Sequence, residues 1–272
     1  MLSDWLPFVP KIGIVGLGYV GGAIYNSFND SGNVICIDSD LSKGHTGTYS
    51  DLKECEAVFI CVPSPSLPDG SCNSSALEDV LDKLWQNEYN GVIISKVTAT
   101  PDVYERLQDC YKNLVYIPEF LTAQNAVLDY CRTKQFIIGG AVKAYQNEAA
   151  RIIKLSHPNA EIQLCSIGEA AITKYIVNSF LATKVVFMNE MAQLSETLGY
   201  NWEDIAHLTF IDERIGKSHM QVPGPDGYRG FGGACFPKDV LAIINYADSL
   251  SVHLNVLKEA TKKNTLLRLT KT

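Results

Sequence analysis

The sequence has eight cysteines but no C-x-x-C pair among them, and its five histidines are scattered without metal-ligand spacing. This excludes the zinc-ribbon and dithiol redox classes, which need paired ligands at short intervals, and no metal is expected. Basic residues are also scarce, 23 against 30 acidic, for a net charge of −7 and a pI near 5.3. A deficit of positive charge disfavours sequence-independent nucleic-acid binding, so an anionic substrate would need a local basic patch. No stretch reads as a membrane span, and the start MLSDWLPFVPK lacks the charged leader and apolar core of a signal peptide. The expectation is therefore a cytoplasmic chain with free thiols, most of them in the core, and with neither nucleic acid nor membrane as partner. Internal repeats and low-complexity segments are missing as well. Asn73-Ser74-Ser75 matches a glycosylation sequon that has no use in such a compartment.

What the chain does have is length and apolar content: 272 residues at 46% hydrophobic can bury a sizeable core and suggest two domains. From Lys11 the run KIGIVGLGYVGGAIYNSF reads as strand, tight turn and helix. Gly16, Gly18 and Gly21 form G-x-G-x-x-G. In that motif the first glycine permits the turn, the second lets backbone approach a pyrophosphate, and the third allows close helix packing. A second strand, NVICID, ends in Asp38, about 20 residues on, where a carboxylate can take the ribose hydroxyls of NAD and repel the 2′-phosphate of NADP. Strands are predicted at Ala57–Val62, Gly91–Ser95, Leu114–Ile117 and Gln135–Gly139, separated by helical or loop stretches. The fold class is thus α/β, a Rossmann-type doubly wound, mainly parallel sheet over residues 1–166. Ligands bind at the carboxyl ends of such strands, which draws attention to Pro63, Ser64, Thr98 and the run Pro118-Glu119-Phe120-Leu121. Each also has a plain reading as loop chemistry.

After Cys165 the pattern turns helical, so residues 167–272 are expected to form an all-helical central domain with one long helix, from Glu169 to about Leu198. Thirty helical residues span about 45 Å, long enough to link domains or to form a homodimer interface. Lys174 and Asn178, four apart, share a face of that helix and could both donate to one oxyanion; Lys174 could equally be a solvated surface lysine. Arg214, Lys217, Arg229 and Lys238 concentrate positive charge near the glycine-rich loop, as a diphosphate site or as loop-tip residues. That loop leads into GFGGACFPKD. Cys235 there precedes a helix that Pro237 would open as its first residue, with Asp239 in the first turn. Either the helix end favours thiolate at Cys235, or the residue is a small buried apolar one.

Taken together, GLGYVG with Asp38, CVPSP at 61–65, PEFL at 118–121, the helix at 169–190, RIG at 214–216 and GFGGACFPKD at 230–239 resemble the UDP-glucose/GDP-mannose dehydrogenase family, in the family's order and over nearly the whole chain. The resemblance implies an enzyme that oxidises a nucleotide sugar by four electrons with two molecules of NAD in succession, UDP-glucose to UDP-glucuronate, through a thiohemiacetal and a thioester on Cys235. It implies catalytic roles for Lys174 and Asn178 (oxyanion), Asp239 (base or water orientation), and Glu119 and Thr98 (water and substrate). Gly16, Gly18, Tyr19, Val20, Gly21, Asp38, Pro63, Ser64, Thr98 and Lys238 would meet the cofactor. Glu119, Phe120, Leu121, Lys174, Asn178, Arg214, Phe231 and Gly232 would meet the small-molecule substrate. The sequence departs from the family at Thr122 and Ala123, where a glutamate is usual. A chain lacking the C-terminal UDP-binding domain is expected, with weak UDP affinity. Two other readings compete: a single-hydride β-hydroxyacid dehydrogenase, which needs no thiol, and a non-catalytic or partner-completed NAD-binding subunit.

Overall fold

The computed structural model describes residues 10–29 and 33–269. Most of the MLSDWLPFVPK start lies outside the described residues. The chain divides into two compact units. Unit 1 takes in residues up to Pro65 and Asn73–Lys174; unit 2 takes in Ser66–Cys72 and Tyr175 onward.

Unit 1 is built on a seven-stranded sheet ordered β2-β1-β3-β4-β5-β6-β7. The strands are β1 (Ile12–Val15), β2 (Val34–Ile37), β3 (Ala57–Ile60), β4 (Val92–Ser95), β5 (Leu114–Tyr116), β6 (Gln135–Gly139) and β7 (Glu161–Cys165). All pairs are parallel except β5 with β6. Three of the expected strands end a residue or two earlier than the apolar run, at Ile37, Ile60 and Tyr116, where the paired register stops. β7 has no counterpart in the sequence reading. Its residues are all exposed or half-buried, as in an edge strand, which offers no continuous apolar run.

Because β1 lies between β2 and β3, the chain leaves it in both directions, and the crevice of a doubly wound sheet opens at that switch point. Register holds Val15 opposite Ile37 and Ile60, so the three strands end level. The helices α1 (Tyr19–Phe28), α2 (Ser75–Gln86), α3 (Pro101–Cys110), α4 (Ala126–Arg132) and α5 (Lys143–Ser156) cover the sheet. One core cluster joins Ile14, Ile24, Phe59, Ile94, Val115, Ile138 and Ile153. Burying each such side chain contributes about 1.5–3 kcal/mol, and that rigidity fixes where the strand ends project.

Unit 2 contains most of α6 (Ile167–Thr197), with α7 (Trp202–Thr209), α8 (Phe236–Ser249) and α9 (Asn255–Arg268). The division falls inside α6, after Lys174. Unit 2 also includes the hairpin Ser66–Cys72, closed by an antiparallel bridge between its ends. The Asn245 amide on α8 holds the Asp69 carbonyl of that hairpin. A small core of Met188, Ala192, Trp202, Ala206 and Met220 ties α6 to α7, and the Trp202 indole donates to the Met220 carbonyl at 3.1 Å.

Three expectations are corrected here. Helix α6 is long and apolar enough, by length and composition, to cross a membrane, with a mean hydropathy of 1.2 over its best window. Its apolarity is spread around the helix and broken by polar residues, so it forms no uninterrupted apolar run. Within the chain 44% of that window is buried, and the helix carries Lys174, Asn178 and Lys184 buried with hydrogen bonds of their own. The cysteines are not mostly core: Cys36 and Cys55 are buried, and Cys110, Cys131 and Cys235 are exposed. Helix α8 starts at Phe236, so Pro237 stands second in it. That position tolerates proline for the same reason as the first, its missing N–H having no intrahelical partner.

Candidate functional site

In unit 1 the turn after β1 is held open by two glycines. Gly16 sits at φ +94, and a Cβ there would stand 2.7 Å from the Cys61 carbonyl oxygen that follows β3. At Gly21 a Cβ would stand 1.8 Å from the Gly16 carbonyl oxygen. Only glycine lets the turn and α1 approach this closely. Gly18 has nothing within 4 Å of the place a Cβ would occupy, and it caps α1 without a side-chain hydrogen bond. The first-turn amides are thus left without a capping side chain, the arrangement that accepts a pyrophosphate. Tyr19 is exposed and Val20 half-buried beside them.

Asp38 follows β2 and accepts from the Leu17 N–H at 2.6 Å and from the Asp40 N–H at 2.8 Å. Burial pushes its carboxyl up, but those two N–H groups, with Lys43, prevail and hold it below the ordinary aspartate value. An ionised carboxylate tethered to the turn suits ribose hydroxyls. A cavity of about 730 Å³ runs beside it, lined by Leu17, Gly18, Tyr19, Asn26 and Lys43 and by the segment Ala123–Leu128. These features fit a dinucleotide. Ala123 lines this cavity. Thr122 is tied by its N–H and hydroxyl to Asp129 of α4, at 2.9 and 2.6 Å.

At the carboxyl ends of β3, β4 and β5 the sheet presents polar groups. Pro63 is exposed and Ser64 buried; Thr98 is buried on the turn after β4. Glu119, two residues past Ile117, is the centre of a buried ion cluster. Its carboxylate accepts from the Lys174 ammonium at 3.0 Å and from the Leu121 N–H at 2.8 Å. Lys174 also donates to the Glu119 carbonyl and lies 5.1 Å from the Phe120 ring centroid. Burial raises the Glu119 carboxyl, yet Lys174, the Leu121 N–H and Lys96 together hold it below its ordinary value. Lys96 was not among the residues expected from sequence. It is 5% exposed, and its ammonium donates to the Pro118 carbonyl at 3.4 Å. The signal was available: a lysine directly after a fully buried strand end is rarely left without a polar task.

In unit 2 the glycine-rich loop is clamped from two helices. Asn189 of α6 accepts from the Gly230 N–H at 3.1 Å. Asn264 of α9 accepts from the Phe231 N–H at 2.6 Å and donates to its carbonyl at 3.0 Å. Phe231 is buried against Phe236, and Gly232 lies against the Arg268 guanidinium. So held, the loop delivers Cys235 to the N-cap of α8, exposed. Asp239, one turn on, is 1% exposed. It accepts from the Asn178 amide at 2.6 Å and from the Lys238 ammonium at 2.5 Å.

The structure therefore gathers Glu119, Leu121 and Lys174 in one cluster and Asn178, Lys238 and Asp239 in another. Lys174 and Asn178 each have their own carboxylate rather than a shared acceptor. The described bonds use two of three ammonium protons and one of two amide protons, so each keeps a donor.

The basic patch near the loop is largely neutralised. Arg214, 89% exposed, pairs with Asp212 at 2.5 Å, and Arg229 makes two bonds of 2.7 Å to Glu196. The RIG turn is anchored instead by buried Lys184, which donates to the Ile215 and Gly216 carbonyls at 2.9 Å each.

Comparison with known proteins bears on this geometry. Residues 43–156 match the NAD binding domain, and residues 168–266 the central domain, of the UDP-glucose/GDP-mannose dehydrogenase family. The chain is 33% identical to UDP-glucose 6-dehydrogenase of Rickettsia felis, over 93% of this chain and 64% of that protein. It is 28% identical to the Pseudomonas aeruginosa enzyme of the same name, over 93% and 65%. It thus spans just under two thirds of these relatives' length.

Two solved structures share the fold. A UDP-glucose dehydrogenase from Pyrobaculum islandicum superposes with a TM-score of 0.82 at 24% identity, covering 98% of this chain and 70% of that one. A 3-hydroxyisobutyrate dehydrogenase from Mycobacterium tuberculosis superposes with a TM-score of 0.75 at 16% identity, covering 97% and 95%.

Proposed function

The chain belongs to the UDP-glucose/GDP-mannose dehydrogenase family, with NAD as its cofactor, and on that premise we propose that it catalyses the four-electron oxidation of UDP-glucose to UDP-glucuronate. The observation that carries this reading is the exposed Cys235 at the N-cap of α8, on a loop that Asn189 and Asn264 hold in place. A single-hydride oxidation has no use for a thiol so presented.

When bound, NAD supplies the hydride acceptor for both steps. In the first, the sugar's primary alcohol loses a hydride and a proton and becomes an aldehyde. The Cys235 sulfur then adds to the carbonyl carbon, and a proton goes to the oxygen, giving a thiohemiacetal. Loss of a second hydride and of the hydroxyl proton leaves a thioester. Water cleaves it, restoring the thiol and releasing the carboxylate. Lys174 and Asn178, with a donor left on each, are suited to the oxygen as it becomes anionic. Asp239 holds Asn178 in orientation, and Glu119 does the same for Lys174. The thiol itself benefits from the unpaired amides at the start of α8.

The test is a count of NADH formed per UDP-glucose consumed. Two supports this reading. One supports a β-hydroxyacid-type single oxidation, and none with NAD still bound supports a non-catalytic or partner-completed subunit.

We place the protein in a reducing compartment, in keeping with eight cysteines that are all free thiols. A homodimer through α6 is part of the proposal. Ile176, Phe180, Phe187 and Leu194 lie on one helical face and are each at least half exposed. Phe180→Asp combined with Phe187→Asp is expected to convert a dimer to a monomer in sedimentation velocity, and an unchanged sedimentation coefficient would refute that interface.

A further inference from the structure

We propose that Lys96 is a positioning residue for this oxidation: as a second buried ammonium on the Pro118–Glu119 turn, it leaves that turn with a net positive charge where a substrate oxygen becomes anionic. The inference rests on the oxidation proposed above.

Two lysines grip successive backbone carbonyls just past β5, Lys96 that of Pro118 at 3.4 Å and Lys174 that of Glu119. Both are buried, at 5% and 3% exposed. The cluster holds one carboxylate, and Lys174 with the Leu121 N–H already satisfies it. Lys96 is therefore not needed to neutralise Glu119. A buried ammonium in excess of its counter-charge is costly unless something anionic meets it, and an apolar side chain of similar length would pack there at less cost. The oxidation supplies such an anion, at the alkoxide of the first step and the oxyanion of the later ones.

The groups facing Lys96 are Glu119 from the loop after β5, Cys61 from the end of β3 and Lys174 from α6. Burial pushes the Cys61 thiol up to about 12, so it stays neutral at working pH, and Glu119 stays ionised. Burial pushes the Lys96 ammonium down to about 8, against the pull of Glu119 and with a further push from Lys174. Below that pH two ammonium groups face one carboxylate. Above it the charges balance and the excess is gone.

The experiment measures kcat and KM for NADH formation from UDP-glucose, from about pH 6 to about pH 10, in the wild-type chain, Lys96→Met and Lys96→Arg. Wild type should lose kcat along an alkaline limb near pH 8. Lys96→Met should lower kcat roughly 10- to 100-fold below that pH, the effect of one charge about 6–12 Å away at an effective dielectric constant near 20. Its KM should change little, and its profile should lack the limb. Lys96→Arg should restore most of kcat and remove the limb, since guanidinium stays charged throughout.

A Lys96→Met enzyme with wild-type kcat and an intact limb overturns the proposal, and so does a Lys96→Arg enzyme whose limb has not moved. A drop in kcat that tracks a drop in Tm, without a change in profile, marks a structural role and also overturns it. If wild type forms no NADH at any pH, the oxidation reading has failed, and Lys96 is judged by another measurement. The Glu119 carboxyl carbon is then titrated by NMR in wild type and Lys96→Met. A higher Glu119 pKa in the variant sustains Lys96 as its second cation, and an unchanged one removes it.

Discussion

Replacing Cys235 with alanine is expected to end glucuronate formation, lowering turnover by on the order of 10³-fold or more, the scale on which loss of a covalent nucleophile is felt. NAD affinity and Tm should not change. The side chain is exposed, and as N-cap of α8 it makes no side-chain capping hydrogen bond. Its loss therefore removes no helix cap. On the proposed mechanism, what it removes is the sulfur that would convert an aldehyde, which has no good hydride to give, into a tetrahedral carbon that has one. Product analysis by chromatography, with NADH followed by absorbance, reads the outcome. Undiminished glucuronate from the alanine variant would mean that water, not Cys235, adds to the carbonyl.

Gly21→Ala should have the largest effect on unit 1. Its Cβ would stand 1.8 Å from the Gly16 carbonyl oxygen, about half an ordinary contact distance, and Gly16 is itself tied down by its N–H to the Ile37 carbonyl at 2.8 Å. Either α1 moves away from the sheet or the turn opens. Overpacking of this kind costs about 1–3 kcal/mol or more, a fall in Tm of roughly 3–10 °C for a domain of this size. NAD binding should be lost with it, because the first-turn amides of α1 leave their place.

Gly18→Ala is the matched control. Nothing lies within 4 Å of its Cβ position, so Tm should hold while NAD affinity falls, since the new methyl stands on the open side of the turn where a pyrophosphate would approach. Thermal melts paired with a fluorescence titration of NAD separate the two. Equal melting of Gly21→Ala and wild type would refute the close-packed turn.

Much of unit 1 was legible in the sequence because its signals are local. Gly16, Gly18 and Gly21 announce the turn by spacing alone, and Asp38 announces itself by ending the second apolar run. β7 was not legible, since a five-residue edge strand half open to solvent carries no continuous apolar run. The bounds of α6 differ from the expected ones by only a residue or two, but its membrane-like composition is not legible as a run because its apolar residues face several sides. The basic residues before Cys235 illustrate the opposite failure. Arg214 and Arg229 look available in a linear reading, yet Asp212 and Glu196 occupy them.

The sequence by itself determined the family, the alternating strand and helix order, the cofactor turn, and the residue types gathered around the chemistry. The element order and the turn depend on periodicity or on spacing within a few tens of residues, whereas the family and its residue types rest on the resemblance of motifs spread over nearly the whole chain. Only the tertiary structure decided which charge meets which. Lys174 takes Glu119 across 55 residues, Asn178 takes Asp239 across 61, and Lys96 reaches Pro118 across 22. No local pattern encodes such pairs. They follow from strands that end level and helices that pack at fixed places. Burial then makes each pairing consequential, because a charge removed from water must find a partner or give up its proton.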